Sequence, residues 1–263
     1  TEGAITSQSD SLTQLNNTLT RVGDNSPTKV YQSLFTELSV DRWHKTVANA
    51  ATAAFSSVPG SISGATLTLD GGVTNVQWRG ASSKLIRFDP SRLYKLSVRI
   101  QQVSVPAGKS PKTYLGVECF AEDGVTLVHV SGANTLSSSH YILASGIAVP
   151  VGVWTEYVTY VKGYAAAGVN GGGGAGTVAD PKKLRAGVAY FSPMALTGYL
   201  AEGGVAALDY FTIDDVTDQV QIDATSAAVA SLDSTVTQQG ATLTSQGTSI
   251  TGLNTSLTTT NTI

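Results

Sequence analysis

The chain has 263 residues, a net charge of −3, 13% charged residues and one cysteine. That length suits one large or two modest domains. A lone Cys119 excludes an intrachain disulfide and any cysteine-built metal motif, near-neutral charge argues against a nucleic-acid groove, and no apolar run is long enough to cross a bilayer. Charged residues fall at about half the ~25% usual for soluble domains; Ser, Thr, Gly, Asn and Gln supply most of the polarity, as suits an extracellular surface. The chain lacks an initiator Met and starts and stops within patterned segments, which reads as a piece of a longer polypeptide.

In chain order, residues 1–24 come first as a heptad segment. Ile5, Leu12 and Leu19 fill a positions, Leu15 and Val22 fill d, and Gln8 takes a further d position. Asn25–Pro27 breaks that helix, because proline lacks the amide a helix interior needs. Residues 25–38 form a junction to which no element is assigned.

Residues 39–217 read as short strands separated by Gly, Pro and Asp turns. Leu93–Val103 is the clearest. Tyr94, Leu96, Val98 and Ile100 alternate with Lys95, Ser97, Arg99 and Gln101, which predicts one apolar and one wet face. Further strands are expected at Ala65–Asp70, Thr74–Arg79, Lys84–Phe88, Thr113–Ala121, Tyr141–Val149, Trp154–Val161, Leu184–Phe191 and Ala207–Asp215. Turns follow at Asp70-Gly71-Gly72, Asp89-Pro90, Asp123-Gly124 and Pro150-Val151-Gly152. Some nine strands so punctuated imply a sandwich or jelly roll.

Residues 218–263 resume the heptads. Ile222, Val229, Val236, Leu243, Ile250 and Leu257 recur every seven residues, with Leu232 and Leu253 at d and Gln239 and Gln246 at other d positions. Propensity opposes the pattern: 18 of the 39 residues from Thr225 are Ser or Thr, and Gly240, Gly247 and Gly252 sit inside it. Each Gly costs ~1 kcal/mol relative to Ala. An isolated helix of this sequence should not persist, so two readings stay open: a coiled coil stabilised between chains, or a disordered Ser/Thr linker. Thr6–Thr20 and Thr244–Thr258 share nine of fifteen residues at an offset of 238, a multiple of seven. This implies a repeat interrupted by an inserted domain.

Candidate chemistry is sparse. His44, His129 and His140 match no metal or catalytic spacing and read as polar surface positions. The glycine run Gly171–Gly174 lacks a phosphate-loop ending and reads as a flexible surface loop. Asp209, Asp214 and Asp215, with Glu118, Glu122 and Asp123, are the carboxylates to weigh for glycoside hydrolysis. Alternation puts Asp209 and Asp215 on one strand face and Asp214 on the other, and a structural calcium at Asp214 or Asp215 is the other use for them. Among aromatics, Trp154 is expected in the core. Trp78, in a polar strand beside Arg79, suits either a core position or a stacking surface for sugar. Tyr114, Tyr141 and Tyr199 are weaker versions of the same idea.

Two resemblances rest on these residues. The stretches TEGAITSQSDSLTQLNNTL and AAVASLDSTVTQQGATLTSQGTSITGLNTSL resemble the repeat region of host-specificity proteins, the protein J-type central tail-tip fibres of lambda-like long-tailed phages. That resemblance implies a homotrimer on the virion tail tip, with other tail-tip proteins and a host glycan or outer-membrane receptor as partners. The middle, through TYLGVECFAEDG, VGVWTEYVTYVKG and ALDYFTIDDVT, resembles carbohydrate-binding-module jelly rolls, in which a closing Asp often helps hold calcium; this maps onto Asp214 and Asp215.

The expectation is therefore a mainly β protein: a jelly-roll β-sandwich flanked by N- and C-terminal α-helical coiled-coil segments in a fibrous homotrimer. It is expected to be non-enzymatic, with no cofactor other than a structural calcium, and to act in host attachment. Trp78, Tyr114 and Tyr141 are the glycan candidates. A carbohydrate-binding module of a secreted protein, a trimeric bacterial adhesin stalk and a glycoside hydrolase are the alternatives.

Overall fold

The computed structural model describes residues 28–35, 43–45, 51–72, 77–131, 139–200 and 202–261. Two compact units divide the chain, one of them Thr28–Val216; the helix from Thr217 belongs to the other. The N-terminal seam residues Ile5, Leu12, Leu15, Leu19 and Val22 lie outside the described residues.

Thirteen strands occur among the described residues: β1 (Thr28–Ser33), β2 (His44–Lys45), β3 (Thr52–Ser56), β4 (Thr66–Asp70), β5 (Trp78–Ala81), β6 (Ile86–Arg87), β7 (Tyr94–Ser104), β8 (Lys112–Phe120), β9 (His140–Ile147), β10 (Thr155–Tyr164), β11 (Lys182–Leu184), β12 (Tyr190–Tyr199) and β13 (Val205–Asp215). Sheet A has the order β11-β10-β7-β13-β4-β3, and β1 pairs with β13 beyond the end of β4. Sheet B has the order β2-β5-β12-β8-β9, and β6 pairs with β12 beyond the end of β5. The two sheets form a β-sandwich.

Alternation explains the packing. Leu96, Val98 and Ile100 of β7, Leu208, Phe211 and Ile213 of β13, and Leu115 and Val117 of β8 are all buried in one core cluster. Each such side chain contributes roughly 1.5–3 kcal/mol when fully buried. The wet face expected of β7 is only partly wet: Ser97 and Gln101 are buried too. The reason is position, since β7 lies between β10 and β13 rather than at an edge.

Several expectations are corrected. The unassigned junction contains β1, whose Tyr31 pairs with Ile213 and packs edge-on against Phe211, so the sandwich begins at Thr28 rather than at residue 39. Leu184–Phe191 is not one strand: β11 ends at Leu184 and the central strand β12 begins at Tyr190. β12 runs on to Tyr199 through Pro193, a residue type that central strands avoid. Pro193 is tolerated where the neighbouring edge passes from β6 to β5; its carbonyl accepts the Ser82 amide at 2.9 Å on that side, where no strand requires the missing N–H. A register shift between Leu208 and Tyr210 interrupts the alternation that put Asp209 and Asp215 on one face.

The glycine run is tied down rather than loose. The Gly172 amide donates to the Lys183 carbonyl at 2.7 Å and the Gly176 amide to the Asp180 carbonyl at 2.8 Å. Gly171 has no room for a side chain, because a Cβ would lie 2.5 Å from the imidazole of His140. His140 is itself fully buried, not on the surface. Its Nε2 accepts the Arg185 amide at 3.2 Å, which fixes the neutral ring with the proton on Nδ1.

Helix α1 (Thr217–Thr260) has 44 residues, about 66 Å at 1.5 Å per residue. Its hydroxyls are satisfied internally: Thr225, Thr235, Thr242 and Thr255 donate to carbonyls four residues back at 2.8–3.0 Å. Such back-bonding satisfies the hydroxyls but slightly destabilises a helix rather than favouring it. Of the seam, Val229 is buried and Ile222 and Val236 are half-buried, while Leu232, Leu243, Ile250, Leu253 and Leu257 are 40–69% exposed.

Burial, then the positive charges of Arg185 and His129, push the His140 imidazole down to about 4. The unfolded value is ~6.5, so the unfolded chain takes up a proton first as pH falls. The neutral ring's contribution is complete above the unfolded value and is lost between there and the folded one, roughly 3 kcal/mol in all. Thermal melts at pH 7 and pH 4.5 should show a larger loss for the wild type than for His140→Gln; parallel losses would refute this role.

Candidate functional site

The outward face of sheet B gathers the polar and aromatic groups that the core excludes. In β8, Leu115, Val117 and Cys119 point inward, so Tyr114, Gly116 and Glu118 point outward. In β5 the same alternation turns Trp78 inward and Arg79 outward, and register places Arg79 opposite Leu196, which in turn lies opposite Tyr114.

Three tyrosines meet there. The Tyr114 ring lies 4.9 Å from that of Tyr141 at 56°, and 4.9 Å from that of Tyr199 at 72°. Tilted and edge-on geometries at this spacing are the favoured ones for aromatic pairs. All three are half-buried, with part of each ring in solvent. Gly116 shapes the wall: a Cβ there would lie 2.0 Å from the His140 carbonyl oxygen, so only glycine lets the β9 backbone cross at that point. Gly146, at φ +66°, also adopts a conformation that favours glycine, and a Cβ on it would approach the Tyr114 hydroxyl to 3.2 Å.

Beside the tyrosines lies an ion pair. Arg79 Nη2 donates to Glu118 Oε1 at 2.8 Å and to Ser139 Oγ at 2.6 Å, and the two charged side chains are 4% and 8% exposed. Burial raises the Tyr141 phenol above its ordinary value, against a hydrogen bond to Arg79 that lowers it. Tyr141 therefore stays protonated at neutral pH and remains joined to the cation. Ser192, opposite Glu118 in register, is fully buried, and its hydroxyl has no hydrogen-bond partner among the described residues. The charges of this pair cancel, and beside it the face offers aromatic surface and hydrogen-bonding groups.

The candidates named from sequence divide accordingly. Tyr114 and Tyr141 come together, and Tyr199 joins them. Trp78 does not: it is 1% exposed and lies in the core, its ring 6.4 Å from that of Trp43 at 32°. A one-residue phase decides this, because the step that buries Trp78 presents Arg79. Trp154, expected in the core, is instead half-buried at the start of β10, with the Arg99 guanidinium 4.9 Å over its ring. Sequence reasoning weighed Glu118 as a hydrolytic carboxylate and missed its pairing with Arg79. An Arg and a Glu in strands 39 residues apart carry no local signal of contact.

The other carboxylates are engaged elsewhere. Glu122 pairs with Arg87 at 2.6 Å, and Asp123 accepts the Val125 and Thr126 amides in its own turn. Asp214 lies 3.4 Å from Lys29, and Asp215 lies 2.6 Å from Arg92. As strand neighbours these two point to opposite faces, so each would meet a cation separately, together with loop oxygens. Among the described residues no group of three or more His, Cys, Asp or Glu gathers in one place. The Cys119 thiol is buried, and burial pushes it well above its usual value, which leaves it unreactive.

No protein-family model matches the chain, and no curated protein matches it. Solved structures give distant likenesses. The CBM22-1 xylan-binding domain of Paenibacillus barcinonensis Xyn10C is 12% identical, with 73% of this chain and 97% of that one covered and a TM-score of 0.43. The family 11 carbohydrate-binding module of cellulosomal cellulase Lic26A-Cel5E of Clostridium thermocellum is 11% identical, with 72% and 96% covered and a TM-score of 0.40. The enzymatically active domain of tailspike protein 4 from bacteriophage CBA120 is 14% identical, with 68% of this chain but 20% of that one covered and a TM-score of 0.40. At such distances no residue's role and no activity passes to this chain.

Breaking the Arg79–Glu118 pair leaves a buried charge uncompensated, at a cost of about 3–5 kcal/mol. Urea unfolding of Glu118→Gln should show a loss of that order, and Arg79→Met combined with Glu118→Leu should recover part of it. A Glu118→Gln midpoint equal to the wild type would remove the pair from the structural account.

Proposed function

We propose that the Thr28–Val216 sandwich is a non-catalytic, jelly-roll glycan-binding domain, and that its binding face is the outward face of sheet B. The observation that carries this reading is the cluster of Tyr114, Tyr141 and Tyr199 beside the buried Arg79–Glu118 pair. Sugars present an apolar C–H face that packs on aromatic rings and hydroxyls that need fixed donors and acceptors. Pockets that bind small molecules have the same make-up, apolar lining with a few placed polar groups. The electrically balanced pair suits a neutral glycan better than an acidic one.

The exposed stripe on α1 supports a wider reading, in which the chain is a segment of a phage tail-tip central fibre that attaches the virion to its host. In it α1 pairs with copies of itself, three in the homotrimer that the sequence resemblance implies. Leu232, Leu243, Ile250, Leu253 and Leu257 each gain roughly 1.5–3 kcal/mol on full burial, against about 1 kcal/mol lost at each helix glycine. On this reading the partners are other tail-tip proteins and a receptor on the host surface.

Two measurements test the two parts separately. Titration with host-surface glycans should give binding that Tyr141→Ala weakens about tenfold or more in protein that circular dichroism shows to be folded at the titration temperature; binding indifferent to Tyr114→Ala and Tyr141→Ala would reject this face. Native mass measurement should show an oligomer that Ile250→Asp with Leu253→Asp converts to monomer, with a fall in helical circular dichroism. A wild-type monomer that keeps a folded α1 would reject the fibre.

A further inference from the structure

The outward face of sheet A carries a second constellation that the tyrosine face does not use. Trp154 enters β10 with its indole N–H donating to the Pro59 carbonyl at 3.0 Å. The Arg99 guanidinium covers one side of the ring and donates to the Gly60 carbonyl at 3.1 Å. Arg99 is anchored in turn by an ion pair with Asp209, whose side chain is fully buried. Burial alone would raise the Asp209 carboxyl, but donors from the Ile62 amide, Arg99 and Ser63 outweigh it and hold the group below its usual value. The indole is thus held in one orientation by groups that cannot easily move.

A polar row runs beside it. Register sets Glu156 on one side of Arg99 and Tyr210 on the other, across three adjacent strands. The Tyr210 phenol is pushed up to about 12, by burial first and then by its hydrogen bond to Glu156. Glu156 is solvent-exposed; Ile62, whose amide donates to Asp209, and Val153, which precedes Trp154 in the chain, are 73% and 54% exposed.

We propose that this face is a second saccharide subsite, in which Trp154 receives the apolar side of a neutral sugar ring and Glu156 and Tyr210 bond its hydroxyls. A rigid, partly exposed indole flanked by a carboxylate and a phenol supplies stacking and hydrogen bonding together. The local charge argues for neutrality of the ligand: one cation, already paired, stands among two carboxylates, which disfavours sialic and uronic acids and anionic lipid surfaces alike. The subsite lies on the opposite sheet from the tyrosine cluster, so one sandwich would hold two sugar residues on opposite faces. Two weak sites on each domain would raise avidity for a dense glycan layer without a new contact.

The test uses the whole chain, nitrogen-15 labelled, titrated with cellohexaose, maltohexaose, xylohexaose and mannohexaose. The three indole N–H resonances of Trp43, Trp78 and Trp154 serve as reporters. The resonance of Trp154 should move with at least one of these sugars while that of Trp78, in the core, stays. Glu156→Gln, on an exposed residue that leaves the fold intact, should weaken this movement about threefold to tenfold, and Trp154→Ala should abolish the second site. Tyr141→Ala should leave the Trp154 response intact, which separates the two faces. A Trp154 resonance unmoved by all four sugars, or moved equally in Glu156→Gln, would overturn the proposal; loss of the response only in Tyr141→Ala would overturn it and leave the tyrosine face standing.

Discussion

Closure of two sheets over alternate side chains is the interaction on which everything else in the Thr28–Val216 unit depends. Strand β13 shows how tightly this binds the rest. It pairs along one edge with β7 and along the other with β4 and then β1, and Ala206, Leu208, Phe211 and Ile213 all reach zero exposure from it. Once these residues are inside, the phase of every neighbouring strand is set, because a one-residue slip would turn the whole apolar set outward. The outward residues follow as a consequence. Arg79 faces out because Trp78 faces in, and Tyr114 faces out because Leu115 faces in.

The two outward faces also carry buried charge. On each outer side other segments cover the charged groups: Ser139 and Tyr141 lie against Arg79, and residues 60–63 lie against Arg99 and Asp209. A charge there is tolerated only with a close partner. Arg79 has Glu118 and Ser139; Asp209 has Arg99 and the backbone of residues 62 and 63. Such pairs add little net stability over an apolar substitute. They do orient their neighbours, and in both places the neighbour is an aromatic ring: Tyr141 beside Arg79, Trp154 under Arg99. Both faces thus combine a fixed ring with fixed polar groups.

Helix α1 obeys different physics. Five of its seam aliphatics remain open to solvent. Its hydroxyls turn back on its own carbonyls, which satisfies them but neither favours the helix nor supplies a core. The core apolar residues of the sandwich are buried within one chain, whereas most of the stripe on α1 is exposed.

Local pattern in the sequence determined a good deal. The alternation of Tyr94 to Ile100 and the aliphatics of Thr113–Ala121 and Ala207–Asp215 marked β7, β8 and β13, because inward residues of half-buried strands repeat every two positions. The heptads marked a helix after residue 217 despite its glycines and threonines. Tyr114 and Tyr141 were legible as surface aromatics of strands. What local pattern could not reach was decided by long-range pairing. β12 is central in spite of Pro193 because the edge beside it happens to change strands there. β1 joins β13 across most of the chain. Trp78 took the core position of the two open to it, while Trp154, expected in the core, lies beneath Arg99 instead. Whether an aromatic in a mixed strand points in or out depends on the phase its partners impose, and those partners lie far away in sequence. Arg79 met Glu118 for the same reason: the sequence held both residues, and only the closed sandwich put them 2.8 Å apart.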